Sequence, residues 1–197
     1  MTSRKQLWVL TGGNGSGKST FYTLFLRPHG IKLLNADQIA KEIDPDNPEE
    51  VSYKAAIIAE HLRDNFLHQG ISFCFETVFS HVSKIDFIAK AKSLGYQVIL
   101  IYFHLIDSSL NEARVWQRVT EGGHSVPPDK IRSRIPRTMK HISKAIPLAD
   151  EVRLIDNSSR DTPYVQISLI KNSKRSDFMS PLPDWAEMLV NPDIPKQ

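Results

Sequence analysis

With 197 residues, 41% of them hydrophobic and 24% charged, the chain is long enough for one sizeable core and short for two. A formal charge of +3 is too slight to argue for nucleic acid, although it suits a site that holds anionic phosphates. The single cysteine, Cys74, excludes an internal disulfide framework and reads as a buried small hydrophobe.

The chain opens with basic residues and a short apolar run, "QLWVLT" at 6–11. The run is below the roughly 7–15 residues of a signal-peptide core, and nothing approaches the roughly 18 apolar residues of a membrane span. A cytoplasmic location is expected, with no membrane partner. Further strand candidates are "KLLNA" (32–36), "ISFCFE" (71–76), "QVILIYFHL" (97–105) and "EVRLID" (151–156). Such continuous apolar runs are the mark of strands covered on both faces. Helical candidates lie between them, over 18–26, 49–68, 83–93, 108–121 and 128–144, with Gly70 as a stop for the second. Strand–helix alternation implies an α/β fold with about five parallel strands and helices on both faces, a three-layer sandwich. "PYVQISLIKN" is expected to add a last, edge strand, and a short helix in the tail is expected to dock Trp185. One unit is expected, with a core over 1–160 and the segment 161–197 packing on it.

Between the first strand and the first helix stands "TGGNGSGKST", and Gly12-x-x-x-x-Gly17-Lys18-Ser19 matches the Walker A pattern in the required strand–loop–helix context. The backbone N–H groups of Gly12, Gly13, Asn14, Gly15, Ser16, Gly17, Lys18, Ser19 and Thr20 are expected to wrap phosphate oxygens. The positive end of the following helix assists them. Lys18, expected on a solvent-open loop, supplies a charge to the terminal phosphates, and Ser19 a hydroxyl for Mg²⁺. The expected ligands are thus ATP and Mg²⁺. Neither an "LSGGQ"-like nor an "NKxD"-like segment occurs, which argues against ABC-type ATPases and GTPases.

Two carboxylates follow strands that should end on the same crevice. Asp37, in "NADQIA", is either a general base for an acceptor hydroxyl or the N-cap of its helix. Glu76, in "FETVFSH", is either a Mg²⁺ ligand through water, a holder of the acceptor, or a solvated strand end. Thr77, Ser80 and His81 are candidates for the acceptor pocket, with Ser80 equally a helix cap. Next comes "ARVWQRVTEGGHSVPPDKIRSRIPRT", where Arg114 and Arg118 precede a Gly122-Gly123 break and Arg132, Arg134 and Arg137 follow Pro127-Pro128. Pro136 is expected to bend or split the second helix. The stretch is either a solvated cationic face or a lid at about 108–145 whose arginines clamp triphosphate, with Arg118 and Arg134 as the expected pair.

"GGNGSGKSTFY", "NADQIA", "FETVFSH", "RVTEGGHSVPPDKIRSRIPRT" and "LADEVRLIDNSS" together resemble the zeta-toxin-like P-loop kinases, over roughly residues 6–158. The resemblance implies an ATP- and Mg²⁺-dependent phosphotransferase and, as a partner, an antitoxin protein. It implies Lys18 on the phosphates, Asp37 as base, Glu76 and Thr77 near the acceptor, Arg118 and Arg134 on the lid, and Asn157 beside adenine. Better-known zeta toxins phosphorylate UDP-N-acetylglucosamine, but their acceptor segment is of a Glu-Gly-Thr type where this chain has "FETVFSH". The acceptor is therefore expected to be a hydroxyl of a small, nucleotide-linked or phosphorylated metabolite. The rival readings are a polynucleotide 5′-hydroxyl kinase and a nucleotide switch acting on a protein partner.

Overall fold

The run at 6–12 becomes β1 (Gln6–Gly12), the third strand of a seven-stranded sheet in the computed structural model, which describes residues 4–121 and 125–192. In chain order there follow α1 (Lys18–Phe21), continued by a π-helical turn at Tyr22–Leu26, then β2 (Lys32–Leu34), α2 (Ala36–Ile43) and α3 (Ser52–Gln69). Next are β3 (Phe73–Thr77), α4 (Ser83–Ser93), β4 (Gln97–His104), α5 (Ser108–Thr120) and α6 (Pro128–Ala145). The chain closes with β5 (Glu151–Asp156), β6 (Val165–Lys171), β7 (Lys174–Asp177) and α7 (Asp184–Val190).

The strand order is β2-β3-β1-β4-β5-β6-β7. The first five are parallel, while β6 and β7 are added antiparallel. Because β1 lies between β3 and β4, the loop leaving its carboxyl end sits where successive connections depart in opposite directions. That is where an open α/β sheet binds ligands. The segment "PYVQISLIKN" does supply β6, but β7 pairs outside it and forms the edge. β7, "KRSD", has no apolar residue to mark it as a strand, and its charges suit an exposed edge.

Period-two geometry sorts the apolar runs onto two faces. Leu7 and Val9 of β1, with Val98, Leu100 and Tyr102 of β4, enter one buried cluster; Leu10, Ile99, Ile101 and Phe103 enter the other. α7 seals the first cluster with Trp185, Ala186 and Leu189, and the Trp185 ring stacks on His104 at a centroid distance of 4.3 Å. α3 ends at Gly70, whose positive φ of 70° permits the closing bond from Ile71 N–H to the Phe66 carbonyl.

Pro136 neither bends α6 apart nor ends it: the helix runs unbroken from Pro128 to Ala145. Tertiary packing holds it, through the buried Ile131, Thr138, Ile142 and Ala145. The Gly122-Gly123 hinge lies outside the described residues. No helix among the described residues is long and apolar enough to cross a membrane.

Candidate active site

The loop from Gly12 to Gly17 closes on the first turn of α1, with Ser16 N–H bonded to the Gly13 carbonyl and Phe21 N–H to the Gly17 carbonyl. Gly12 is required by space: a Cβ there would stand 2.3 Å from the Phe103 carbonyl oxygen of the neighbouring strand. Lys18 is buried at 5% exposure, contrary to the solvent-open position expected of it. Its ammonium donates to the Gly12 and Gly13 carbonyls at 2.9 and 2.8 Å, so the loop curls over it. Burial lowers its pKa from the ordinary value, opposed by Glu76 and Asp37 and assisted by Arg118.

Glu76, at the end of β3, lies 4.0 Å from the Lys18 ammonium. Its two carboxylate oxygens stand 2.8 and 3.0 Å from the Ser19 hydroxyl, and Asn35 Nδ2 donates to it at 3.3 Å. Asn35 also accepts from the Asp37 N–H through its own Oδ1, at 2.8 Å. Asn35 is therefore the N-cap of α2, and the N-cap alternative for Asp37 is corrected: Asp37 is the second residue of the helix, in its first turn, and exposed. "NADQIA" offers two residues able to cap, and in the sequence analysis only the second is weighed, as base or as cap. The position leaves the Asp37 carboxylate free of capping work, and it lines the cleft with Lys18.

That cleft, of about 840 Å³, brings together Lys18, Ser19, Asp37, Glu76, Thr77, Arg118 and Arg134 from five elements. Arg134 makes a long contact of 3.5 Å with the Asn14 side chain, which sets it over the loop. Arg132, two residues away, turns to Glu112 of α5 in a bidentate pair at 2.5 and 2.9 Å. Arg137 folds onto Ser133 of its own helix. Two further arginines line the cleft: Arg114 of α5, placed on the lid in the sequence analysis without being singled out, and Arg160, given no role there. The i, i+4 spacing of Arg114 and Arg118 on one helix face was the available signal for the first.

Two expected site residues lie outside the cleft lining. His81 is exposed on the turn before α4, where its Nδ1 accepts from Ser83 N–H at 3.2 Å; it does not line the cleft, and neither does Ser80. Asn157, expected beside adenine, does line the cleft, but it is 5% exposed and both ends of its amide are committed within the protein. Its Nδ2 donates to the Ser16 carbonyl at 2.9 Å and its Oδ1 accepts from Tyr164 N–H at 3.1 Å. Thr77 does line the cleft, but its hydroxyl accepts from Phe79 N–H at 3.0 Å and shapes the turn after β3. Thr138 and His141 of α6 hold that same turn through the Val78 and Phe79 carbonyls. No group of three metal-ligating side chains exists among the described residues. Ser19 and Glu76 are oxygen donors in mutual contact. That set fits Mg²⁺, which keeps most of its waters and takes only one or two protein ligands beside phosphate.

A phosphate loop at the switch point of a 2-3-1-4-5 parallel sheet, faced by carboxylates and arginines, defines a P-loop kinase fold. The sequence matches the zeta toxin family model over residues 1–167, and the chain belongs to that family. It is 34% identical over 138 residues to an uncharacterised protein of Haemophilus influenzae, covering 66% of this chain and 98% of that one. In fold it is similar to a chain of the crystal structure of AvrRxo1-ORF1:-ORF2 with ATP, at a TM-score of 0.74 and 18% identity. That match covers 100% of this chain and 66% of the other, so this chain spans just under two thirds of that relative's length. A chain of the PezAT chromosomal toxin–antitoxin system of Streptococcus pneumoniae matches at a TM-score of 0.66 and 16% identity, over 86% of this chain and 73% of its own. At these identities the structural likeness establishes the fold alone.

Proposed function

We propose that this chain is an ATP-dependent phosphotransferase that moves the γ-phosphate to a hydroxyl of a small metabolite, one carrying a phosphate or a nucleotide-linked sugar. The observation that carries the reading is the meeting of Lys18, Asp37, Glu76, Arg118 and Arg134 around a single cleft. Each has a separable role. Lys18 exchanges its bonds to the Gly12 and Gly13 carbonyls for oxygens of the terminal phosphates. Asp37 accepts the proton of the acceptor hydroxyl as its oxygen attacks phosphorus and the bond to the ADP leaving group breaks. Arg118 and Arg134 face the charge that grows as the phosphoryl group crosses. Ser19 and Glu76 would hold Mg²⁺, which supplies charge neutralisation at the β and γ oxygens when bound.

A cytoplasmic location fits this reading, since ATP and its metabolite acceptors are found there. The matching PezAT chain belongs to a structure of a chromosomal toxin–antitoxin system, which supports an antitoxin protein as the partner class. The deciding experiment supplies purified protein with γ-labelled ATP, Mg²⁺ and a metabolite extract, beside an oligonucleotide bearing a 5′-hydroxyl. Label in a small-molecule product is expected. Label on the oligonucleotide would replace the acceptor class, and release of phosphate alone would make the protein a nucleotide switch.

A further inference from the structure

Three carbonyls of the phosphate loop are held from behind by side chains that come from elsewhere in the chain. Asn111 of α5, 2% exposed, donates from Nδ2 to the Asn14 carbonyl at 2.6 Å. Asn157, beyond β5, donates to the Ser16 carbonyl at 2.9 Å. The Tyr164 hydroxyl, just before β6, donates to the Gly17 carbonyl at 3.1 Å. The last two anchors are joined, because Asn157 Oδ1 takes the Tyr164 N–H, and the Tyr164 backbone sits at a positive φ of 59°. The Tyr164 ring is in turn fixed by edge contacts with Phe21 at 5.5 Å and Phe103 at 6.0 Å.

In a trans peptide the C=O of one residue and the N–H of the next point in opposite directions. Holding the carbonyls of Asn14, Ser16 and Gly17 outward therefore turns the N–H groups of Gly15, Gly17 and Lys18 inward, toward the phosphate space. Left alone, a glycine-rich loop samples many orientations, and each peptide that must be turned costs conformational entropy at the moment of binding. A Cβ on Gly17 would stand 2.3 Å from Asn157 Nδ2 and 3.3 Å from the Tyr164 hydroxyl. Glycine at that position is thus demanded by the anchors as well as by the phosphate.

We infer that Asn111, Asn157 and Tyr164 are positioning residues that pre-organise the loop for phosphate, and that Asn157 serves ATP in this way and not as a base contact. The inference rests on the reading of this loop as the ATP site. It gives a function to the junction at 157–164, which couples the antiparallel end of the sheet to the phosphate loop.

The test uses the full chain with Tyr164→Phe, Asn157→Ala and Asn111→Ala, titrated with ATP and with inorganic tripolyphosphate. Loss of one buried hydrogen bond is expected to weaken both ligands in parallel, by about 3–30-fold per variant. KM for ATP should rise by that factor while kcat changes less than about threefold, because loop order is needed equally in ground and transition states. Tyr164→Phe removes only an oxygen and keeps the ring in place, so it decides the matter if an asparagine variant fails to fold. Unchanged tripolyphosphate affinity in a folded Tyr164→Phe protein would overturn the anchors alone, with wild-type binding intact. Absence of tripolyphosphate and ATP binding by the wild type would instead remove the ATP-site reading, and the anchors with it.

Discussion

The Ser19 hydroxyl reaches across from the first turn of α1 to the Glu76 carboxylate at the end of β3, 2.8 Å away. The two residues are 57 apart in sequence, and only the parallel pairing of β1 with β3 brings them together. In the proposed function this hydroxyl–carboxylate pair would hold Mg²⁺. Glu76→Gln keeps the shape and removes the charge, so it is expected to raise the Mg²⁺ concentration needed for half-maximal activity by at least about tenfold. An unchanged Mg²⁺ titration would place the metal elsewhere.

Lys18 is buried, and its substitution therefore tests packing as well as charge. Burial holds its pKa below the ordinary value, so the charged side chain works against folding at neutral pH. Lys18→Met is expected to lose ATP binding while melting at or above the wild-type temperature in the absence of nucleotide. The sign follows from linkage: the unfolded lysine binds its proton more tightly, so the penalty is present below the folded pKa and is relieved as pH rises toward 10.5. The variant's advantage should shrink over that range. A nucleotide-free variant melting several degrees lower would mean that the bonds to Gly12 and Gly13 outweigh desolvation.

Asp37 and Asn35 separate chemistry from capping within one turn of helix. Asp37→Asn is expected to leave ATP affinity nearly intact and cut turnover by about 10²–10⁴-fold. Its stability cost should stay below about 1 kcal/mol, since only a first-turn carboxylate is lost. Asn35→Ala should show the reverse balance, losing about 1 kcal/mol of cap and loosening Glu76. Full turnover in Asp37→Asn would end its assignment as base.

The sheet core and the phosphate loop were legible because each is written locally. Continuous apolar runs mark strands covered on both faces, and Gly12 to Ser19 is a contiguous pattern. What was hidden depends on contacts between distant residues. β7 carries no apolar signal, since an exposed edge strand needs none. The identity of the α2 cap hangs on a shift of two residues, between Asn35 and Asp37. The resemblance implies Asn157 beside adenine, but no local pattern signals its two bonds, to residues 141 and 7 positions away. Pro136 was read by its local cost, which the buried anchors Ile131, Thr138 and Ile142 overcome.

His104 supplies a pH test of the C-terminal dock. Burial beside Trp185 pushes its pKa down to about 4, with Asp156 pulling the other way, and its Nδ1 stands 3.3 Å from the Tyr102 hydroxyl. The unfolded imidazole takes its proton near pH 6.5 and the folded one only near 4, so stability should fall as pH drops through that interval. The slope is at most ~1.4 kcal/mol per pH unit. His104→Phe keeps an aromatic ring against Trp185 and should flatten the slope between pH 6.5 and 4, whatever its absolute stability. An unchanged slope would assign the acid sensitivity to carboxylates.

The arginines of α5 and α6 separate a working clamp from a charged surface. Arg118 and Arg134 line the cleft, whereas Arg132 is engaged by Glu112 on the outer side of α6. A guanidinium that meets charge only as the phosphoryl group transfers lowers the barrier without tightening the ground state. Arg118→Ala and Arg134→Ala are therefore expected to reduce kcat by about 10³–10⁵-fold if either acts as the catalytic arginine, with ATP affinity changed far less. Arg→Lys should rescue poorly at either position, because an ammonium lacks the planar fork. Arg132→Ala breaks an exposed ion pair and should change stability little, with kcat near wild type. Arg114→Ala adds a control from the same face of α5 as Arg118: its guanidinium reaches the Ser158 carbonyl at 3.4 Å, which points to nucleotide binding and a raised KM. Small, equal losses of kcat at 118, 132 and 134 would reduce the helix pair to a cationic face and withdraw the clamp.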